Sequence, residues 1–113
     1  MAIVAEDEVI IAHNLKNLLE KIGFSKVIIV GSVAELREYQ NVSFDLAFLD
    51  LKLSDGSSEK FVVHFSRRGI PTIVHSGHLN EQKVSVGQNI HFLAKPSTRA
   101  KIKAVVKSVV ELD

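Results

Sequence analysis

The chain has 113 residues, enough for one compact domain and too few for two, and at that length folding buries roughly two-thirds of the unfolded surface without needing covalent staples. Hydrophobic residues make up 46% and charged residues 24%, which excludes a disordered tail, and 14 basic against 13 acidic residues leave a net charge of +1, too small to recruit nucleic acid or an anionic membrane by overall field. The absence of cysteine excludes disulfides, thiol catalysis and thiolate metal sites, and accords with a cytoplasmic location. Apolar runs such as Val27 to Val30 fall far short of the roughly 20 residues that span a bilayer. The start, Met1 to Ala5, runs directly into Glu6, Asp7 and Glu8 and so lacks the basic and apolar regions of a signal peptide.

Along the chain, short β-branched runs alternate with amphipathic helical stretches, the pattern of a parallel α/β sheet. Ala2 to Ala5 is the first predicted strand. Ile11, Leu15, Leu18, Leu19 and Ile22 then recur at helical spacing, and Gly23 supplies a stop. Lys26 to Val30 is the second strand, and Ser32 with Glu35 three residues later forms a capping-box pattern for a short second helix. Leu46 to Leu49, almost wholly apolar, is the third strand, as expected for one covered on both faces. Phe61, Val62 and Phe65 mark a third helix, ended by Gly69 and Pro71 before a fourth strand at Thr72 to His75. From Gly77 to Gln88 the apolar residues keep no period, so a fourth helix there is expected to be short or irregular. Phe92 to Ala94 is the fifth strand, and Ile102, Val105, Val106, Val109 and Val110 form the buried face of the last helix. Five strands alternating with helices predict a flavodoxin-like, doubly wound five-stranded parallel sheet of order 2-1-3-4-5, with helices on both faces and no repeat or linker.

In such sheets the functional crevice lies at the carboxyl ends of the strands. The residues there are Glu6 and Asp7 after the first strand, Asp50 after the third, Ser76 after the fourth and Lys95 after the fifth. Three carboxylates brought together repel unless a cation joins them, and a hard divalent ion such as Mg2+ suits oxygen ligands. Asp50, at the end of an apolar run, is a candidate nucleophile for phosphoryl transfer, with the metal and Lys95 offsetting charge and Ser76 donating a hydrogen bond. Gly77 beside it permits close approach of the loop.

The acidic pair in Val4-Ala5-Glu6-Asp7-Glu8, the segment Phe44 to Gly56 around Asp50, the hydroxyl in His75-Ser76-Gly77, and Lys95-Pro96 together resemble a response-regulator receiver domain of two-component signalling (CheY-like). The resemblance covers essentially the whole chain, residues 1–113, as a single receiver domain. It implies that Asp50 accepts a phosphoryl group from a histidine kinase or histidine phosphotransfer protein. Glu6, Asp7 and Asp50 would hold magnesium with the Lys52 carbonyl as a further ligand, and Ser76 and Lys95 would read the phosphoryl group. The resemblance also makes Phe92 the switch aromatic and the Lys95–Pro96 bond cis, and it places Lys52 and His78 where the lifetime of the acyl phosphate is tuned. Any enzymatic activity would be confined to the domain's own aspartyl phosphorylation and dephosphorylation. Ser54 stands where a proline is common, Glu6 where aspartate is more frequent, and the stretch between Ser76 and Lys95 is short for the pattern. No effector domain follows Asp113, so output is expected through a downstream protein target or onward transfer.

Other readings are weaker. The five histidines include no recognised ligand pair, so His75 and His78 read as structural or surface residues. Ser76 lacks the nucleophile elbow of a hydrolase, and Gly31 begins no dinucleotide fingerprint. Phe92 can equally be a plain core aromatic, and Arg99, Lys101, Lys103 and Lys107 make a basic last helix that is ordinarily a solvated face. Aspartate-nucleophile phosphatases resemble Asp-x-Asp, whereas the second position here is Lys52. The remaining alternative is a pseudo-receiver, a constitutive protein-binding module that keeps the fold without the chemistry.

Overall fold

The computed structural model describes residues 1–77 and 89–110. Its elements, in chain order, are β1 (Ala2–Ala5), α1 (Val9–Ile22), β2 (Val27–Val30), α2 (Val33–Glu38), β3 (Leu46–Asp50), β4 (Lys52–Leu53), β5 (Gly56–Ser57), α3 (Glu59–Arg67), β6 (Thr72–Ser76), β7 (Ile90–Ala94) and α4 (Arg99–Val109). Five strands pair in parallel in the order β2-β1-β3-β6-β7, which is the predicted doubly wound topology. The three central strands, β1, β3 and β6, are buried at every position because helices cover both of their faces.

Alternation along each strand divides the core in two. Ile3 and Ala5, Ala47 and Leu49, and Val74 pack with Leu36 of α2 and with Phe61, Val62 and Phe65 of α3. Ala2 and Val4, Leu46 and Phe48, Ile73 and Leu93 pack on the opposite side with Leu15, Leu18 and Leu19 of α1 and Ile102 and Val106 of α4. The remaining valines expected on the last helix, Val105, Val109 and Val110, are partly buried against this second core. The first helix ends at the predicted glycine. Gly23, at φ 141°, turns the chain so that its own N–H and that of Phe24 both reach the Leu19 carbonyl at 3.1 Å.

The Ser32 cap also forms, with a different reciprocal bond. Ser32 Oγ accepts the Glu35 N–H at 3.1 Å, but Glu35 Oε1 receives the N–H of Gly31 at 3.3 Å. Four strand boundaries move. β2 begins at Val27, although the Lys26 carbonyl still accepts the Ala2 N–H at 2.9 Å. β3 and β6 each extend one residue further, through Asp50 and Ser76. β7 begins at Ile90, two residues before Phe92, because Thr72 at the start of β6 pairs with Ile90.

One element was not anticipated. β4 and β5 form a small antiparallel hairpin, Lys52 opposite Ser57 and Leu53 opposite Gly56, in what the sequence presents as a connection. The expected fourth helix falls on residues 78–88, outside the described residues. No helix among the described residues is long and apolar enough to cross a membrane.

Candidate functional site

The register of the sheet aligns the ends of its strands. Ala5 pairs with Leu49, Asp50 with His75, and Ser76 with Ala94, so Glu6, Asp50, Ser76 and Lys95 emerge along one edge. Parallel pairing makes this convergence a property of the topology, since every strand of the sheet ends on the same side.

Oxygen atoms of Glu6, Asp7 and Asp50 lie within 4.8 Å of one another. Glu6 and Asp50 are only 3% and 6% exposed, whereas Asp7 faces solvent. Two buried carboxylates side by side require a compensating charge, and Lys95 supplies it: its Nζ is 2.7 Å from Asp50 Oδ2 and 3.5 Å from Glu6 Oε2. Burial pushes the Glu6 carboxyl above the usual carboxylate range; the Glu8 N–H on Oε1 at 3.1 Å and the Lys95 charge oppose the shift, and the Asp50 charge adds to it. Burial alone pulls the Lys95 ammonium down, but its hydrogen bond to Asp50 and the charges of Asp50 and Glu6 outweigh that and hold it above its ordinary value. Lys95 therefore stays charged.

The other Asp50 oxygen, Oδ1, accepts the Lys52 N–H at 3.3 Å. Ser76 is buried at the end of β6, and its carbonyl accepts the Lys95 N–H at 2.8 Å. The Lys95–Pro96 peptide bond is cis. Phe92 is half-buried and packs against the core shared with α2 and α3. His78 lies outside the described residues. The donor set of two buried and one exposed carboxylate, all hard oxygen ligands beside a short backbone segment at Lys52, fits a small divalent cation.

Two residues that shape the site went unread in the sequence. Ser58, fully buried, donates its hydroxyl to the Asp50 carbonyl at 2.8 Å and its N–H to the Leu51 carbonyl at 2.9 Å. Asp55 contacts α2 from the tip of the β4–β5 hairpin. A serine before a helix reads simply as a cap, so sequence offered no sign that Ser58 closes the loop around the candidate nucleophile. A cleft of about 510 Å³ also opens beside the site between α1 and the start of α4; it shares Lys95 with the site but none of Glu6, Asp7 and Asp50.

His75, read from sequence as a structural or surface residue, is buried. Its ring meets Phe48 edge-on at 5.3 Å, and Nε2 lies 3.2 Å from Ser97 Oγ. Burial, reinforced by the Lys95 charge and partly opposed by Asp50, pushes its pKa down to about 4. The unfolded chain thus takes up a proton near pH 6.5 that the native chain resists until about pH 4. His75 should therefore cost stability progressively as pH falls through that window, by up to about 3 kcal/mol. Urea unfolding at several pH values should show the parent losing more stability over this range than His75→Leu. Parallel pH profiles would remove His75 from the account.

No protein-family model matches the sequence, and no curated protein matches it. The similarity lies with solved structures. A CheY-like response regulator receiver domain from Methylobacillus flagellatus superposes with a TM-score of 0.68 at 26% identity, covering 96% of each chain. One from Methanospirillum hungatei JF-1 gives a TM-score of 0.80 at 24% identity over 95% of this chain and 90% of that one. The receiver domain of a sensor histidine kinase from Pseudomonas aeruginosa PAO1, with a magnesium ion coordinated in its active site cleft, gives 0.77 at 20% identity over 96% and 94%. The chain therefore has the receiver-domain fold and resembles response-regulator receiver domains over most of its length.

Proposed function

We propose that the chain works in phosphorelay signalling, with Asp50 accepting a phosphoryl group from the phosphohistidine of a histidine kinase or histidine phosphotransfer protein. The observation that carries this reading is the buried Asp50 carboxylate held between Lys95 and the two acids after β1. An Asp50 oxygen forms the new bond to phosphorus while the phosphorus–nitrogen bond of the donor breaks, its electron pair leaving with the imidazole, which takes up a proton. Glu6, Asp7 and Asp50, with the Lys52 carbonyl, would hold magnesium, which when bound offsets charge on the phosphoryl oxygens.

The protein's own groups do the positioning. The Lys52 N–H orients Asp50, and Glu6 shares Lys95 with it. Lys95, already paired with Asp50, and the Ser76 hydroxyl would bind the transferred phosphoryl oxygens. Lys52, whose side chain is exposed two residues beyond Asp50, would crowd hydrolytic water, and Phe92 would relay the state of the site to a downstream protein target. A receiver domain of the same fold that holds magnesium in its own active site cleft supports the metal assignment.

Incubation with magnesium and acetyl phosphate or phosphoramidate should yield an acid-stable, base-labile mass increase by mass spectrometry. Asp50→Asn should abolish it. An unmodified parent chain under these conditions would leave the pseudo-receiver reading standing, and labelling that survives in Asp50→Asn would place the acceptor elsewhere.

A further inference from the structure

The segment after Asp50 is tied down at both ends. At its base, the Leu51 N–H reaches the His75 carbonyl at 3.3 Å, and Ser58 closes back on Asp50 and Leu51. At its tip, the Asp55 carboxylate spans two helix donors: Oδ1 accepts the Val33 N–H at 2.7 Å and Oδ2 the Ala34 N–H at 3.1 Å. Between them run the two paired positions of the hairpin, with Leu53 buried and Lys52 contacting Asp50. Strands of two residues have almost no stability of their own, so what anchors the tip decides how well Lys52 is held.

We propose that Asp55 is a positioning residue for the magnesium loop: it latches the β4–β5 hairpin to α2 and thereby fixes the Lys52 backbone against Asp50. The division of labour at α2 supports this. Its own cap, Ser32, accepts only the Glu35 N–H, leaving the Val33 and Ala34 N–H groups to Asp55, so helix and hairpin each complete the other. Gly56, at φ 144°, adopts a backbone conformation open to glycine and strained for other residues, and it lets the chain turn back immediately after Asp55. The Val33 N–H also holds the Asp55 carboxyl below its ordinary range, so the latch stays charged near neutral pH. Asp55 touches neither Asp50 nor the two acids after β1 in any observed hydrogen bond or ion pair among the described residues, which makes its influence on the site indirect.

The assignment rests on the metal-site reading above, and a single set of measurements separates the two. Magnesium titrations followed by amide NMR should show Asp55→Ala binding about three- to tenfold more weakly than the parent, the range expected from losing a helix-capping carboxylate. Asp55→Asn, which keeps one acceptor oxygen, should retain more of the affinity. Ser32→Ala, which uncaps the same helix without touching the hairpin, should leave affinity unchanged. In metal-free protein, amide exchange across residues 51–57 should quicken in Asp55→Ala and not in Ser32→Ala. Parent-like affinity in Asp55→Ala, or equal weakening by Ser32→Ala, overturns the latch. A parent chain that binds no magnesium overturns the metal-site reading and the latch's role in it together, whatever the exchange rates show.

Discussion

Replacing Lys95 with Met should cost about 3 kcal/mol of stability at pH 7, because it leaves the Glu6 and Asp50 carboxylates buried beside one another without their cation. The figure sits at the lower end for breaking a buried pair because the Lys95 side chain is itself 29% exposed. The loss should depend on conditions in a way that an ordinary packing defect does not. Glu6 already has a raised pKa, and removing Lys95 removes one of the influences that lower it. A carboxyl whose native pKa exceeds its unfolded value loses stability as pH rises from the unfolded value through the native one, and regains it on acidification. The gap between parent and Lys95→Met should consequently narrow as pH falls from 7 toward the ordinary glutamate range near 4.5. Millimolar magnesium at pH 7 should narrow it as well. Denaturant unfolding with and without magnesium measures both effects, and a deficit insensitive to pH and metal would show that Lys95 acts through packing alone.

The second large effect is expected at Asp7. Asp7→Ala should weaken magnesium binding at least about tenfold and nearly abolish phosphorylation by acetyl phosphate. A small, water-rich site of millimolar affinity has only about 4 kcal/mol to lose. Stability in the absence of metal should hold or rise slightly, since Asp7 is exposed and lies among like charges. This separation distinguishes Asp7 from Glu6 and Asp50, whose buried carboxylates are balanced by Lys95 and cannot be altered without disturbing that balance. Calorimetric or NMR titration of the variant decides the matter: affinity equal to the parent's would show that Asp7 is not a ligand.

Much of this site is visible in the one-dimensional pattern because apolar strands end abruptly in polar residues. Leu46 to Leu49 followed by Asp50, and Phe92 to Ala94 followed by Lys95, mark the sheet edge without any coordinates. The hairpin at 52–57 is not visible in the same way. Its strands are two residues long, too short for any hydrophobic period, and Leu51-Lys52-Leu53 reads equally well as the tail of a strand or as loop. The early start of β7 escaped for a related reason: Ile90 and His91 join the sheet because β6 offers them partners, not because of their own pattern.

Sequence by itself determined the alternation of strands and helices, which follows from local periodicity, and, through the flavodoxin-like class that this alternation matches, the order of the sheet and the set of charged residues at its carboxyl edge. Only the tertiary structure decided that Lys95 sits closer to Asp50 than to Glu6, that His75 is buried and held neutral, and that Asp55 reaches across 22 residues of chain to Val33. These depend on distances of a few tenths of an ångström and on which groups lose their water. Both are set by how distant segments pack, and the order of residues does not record them.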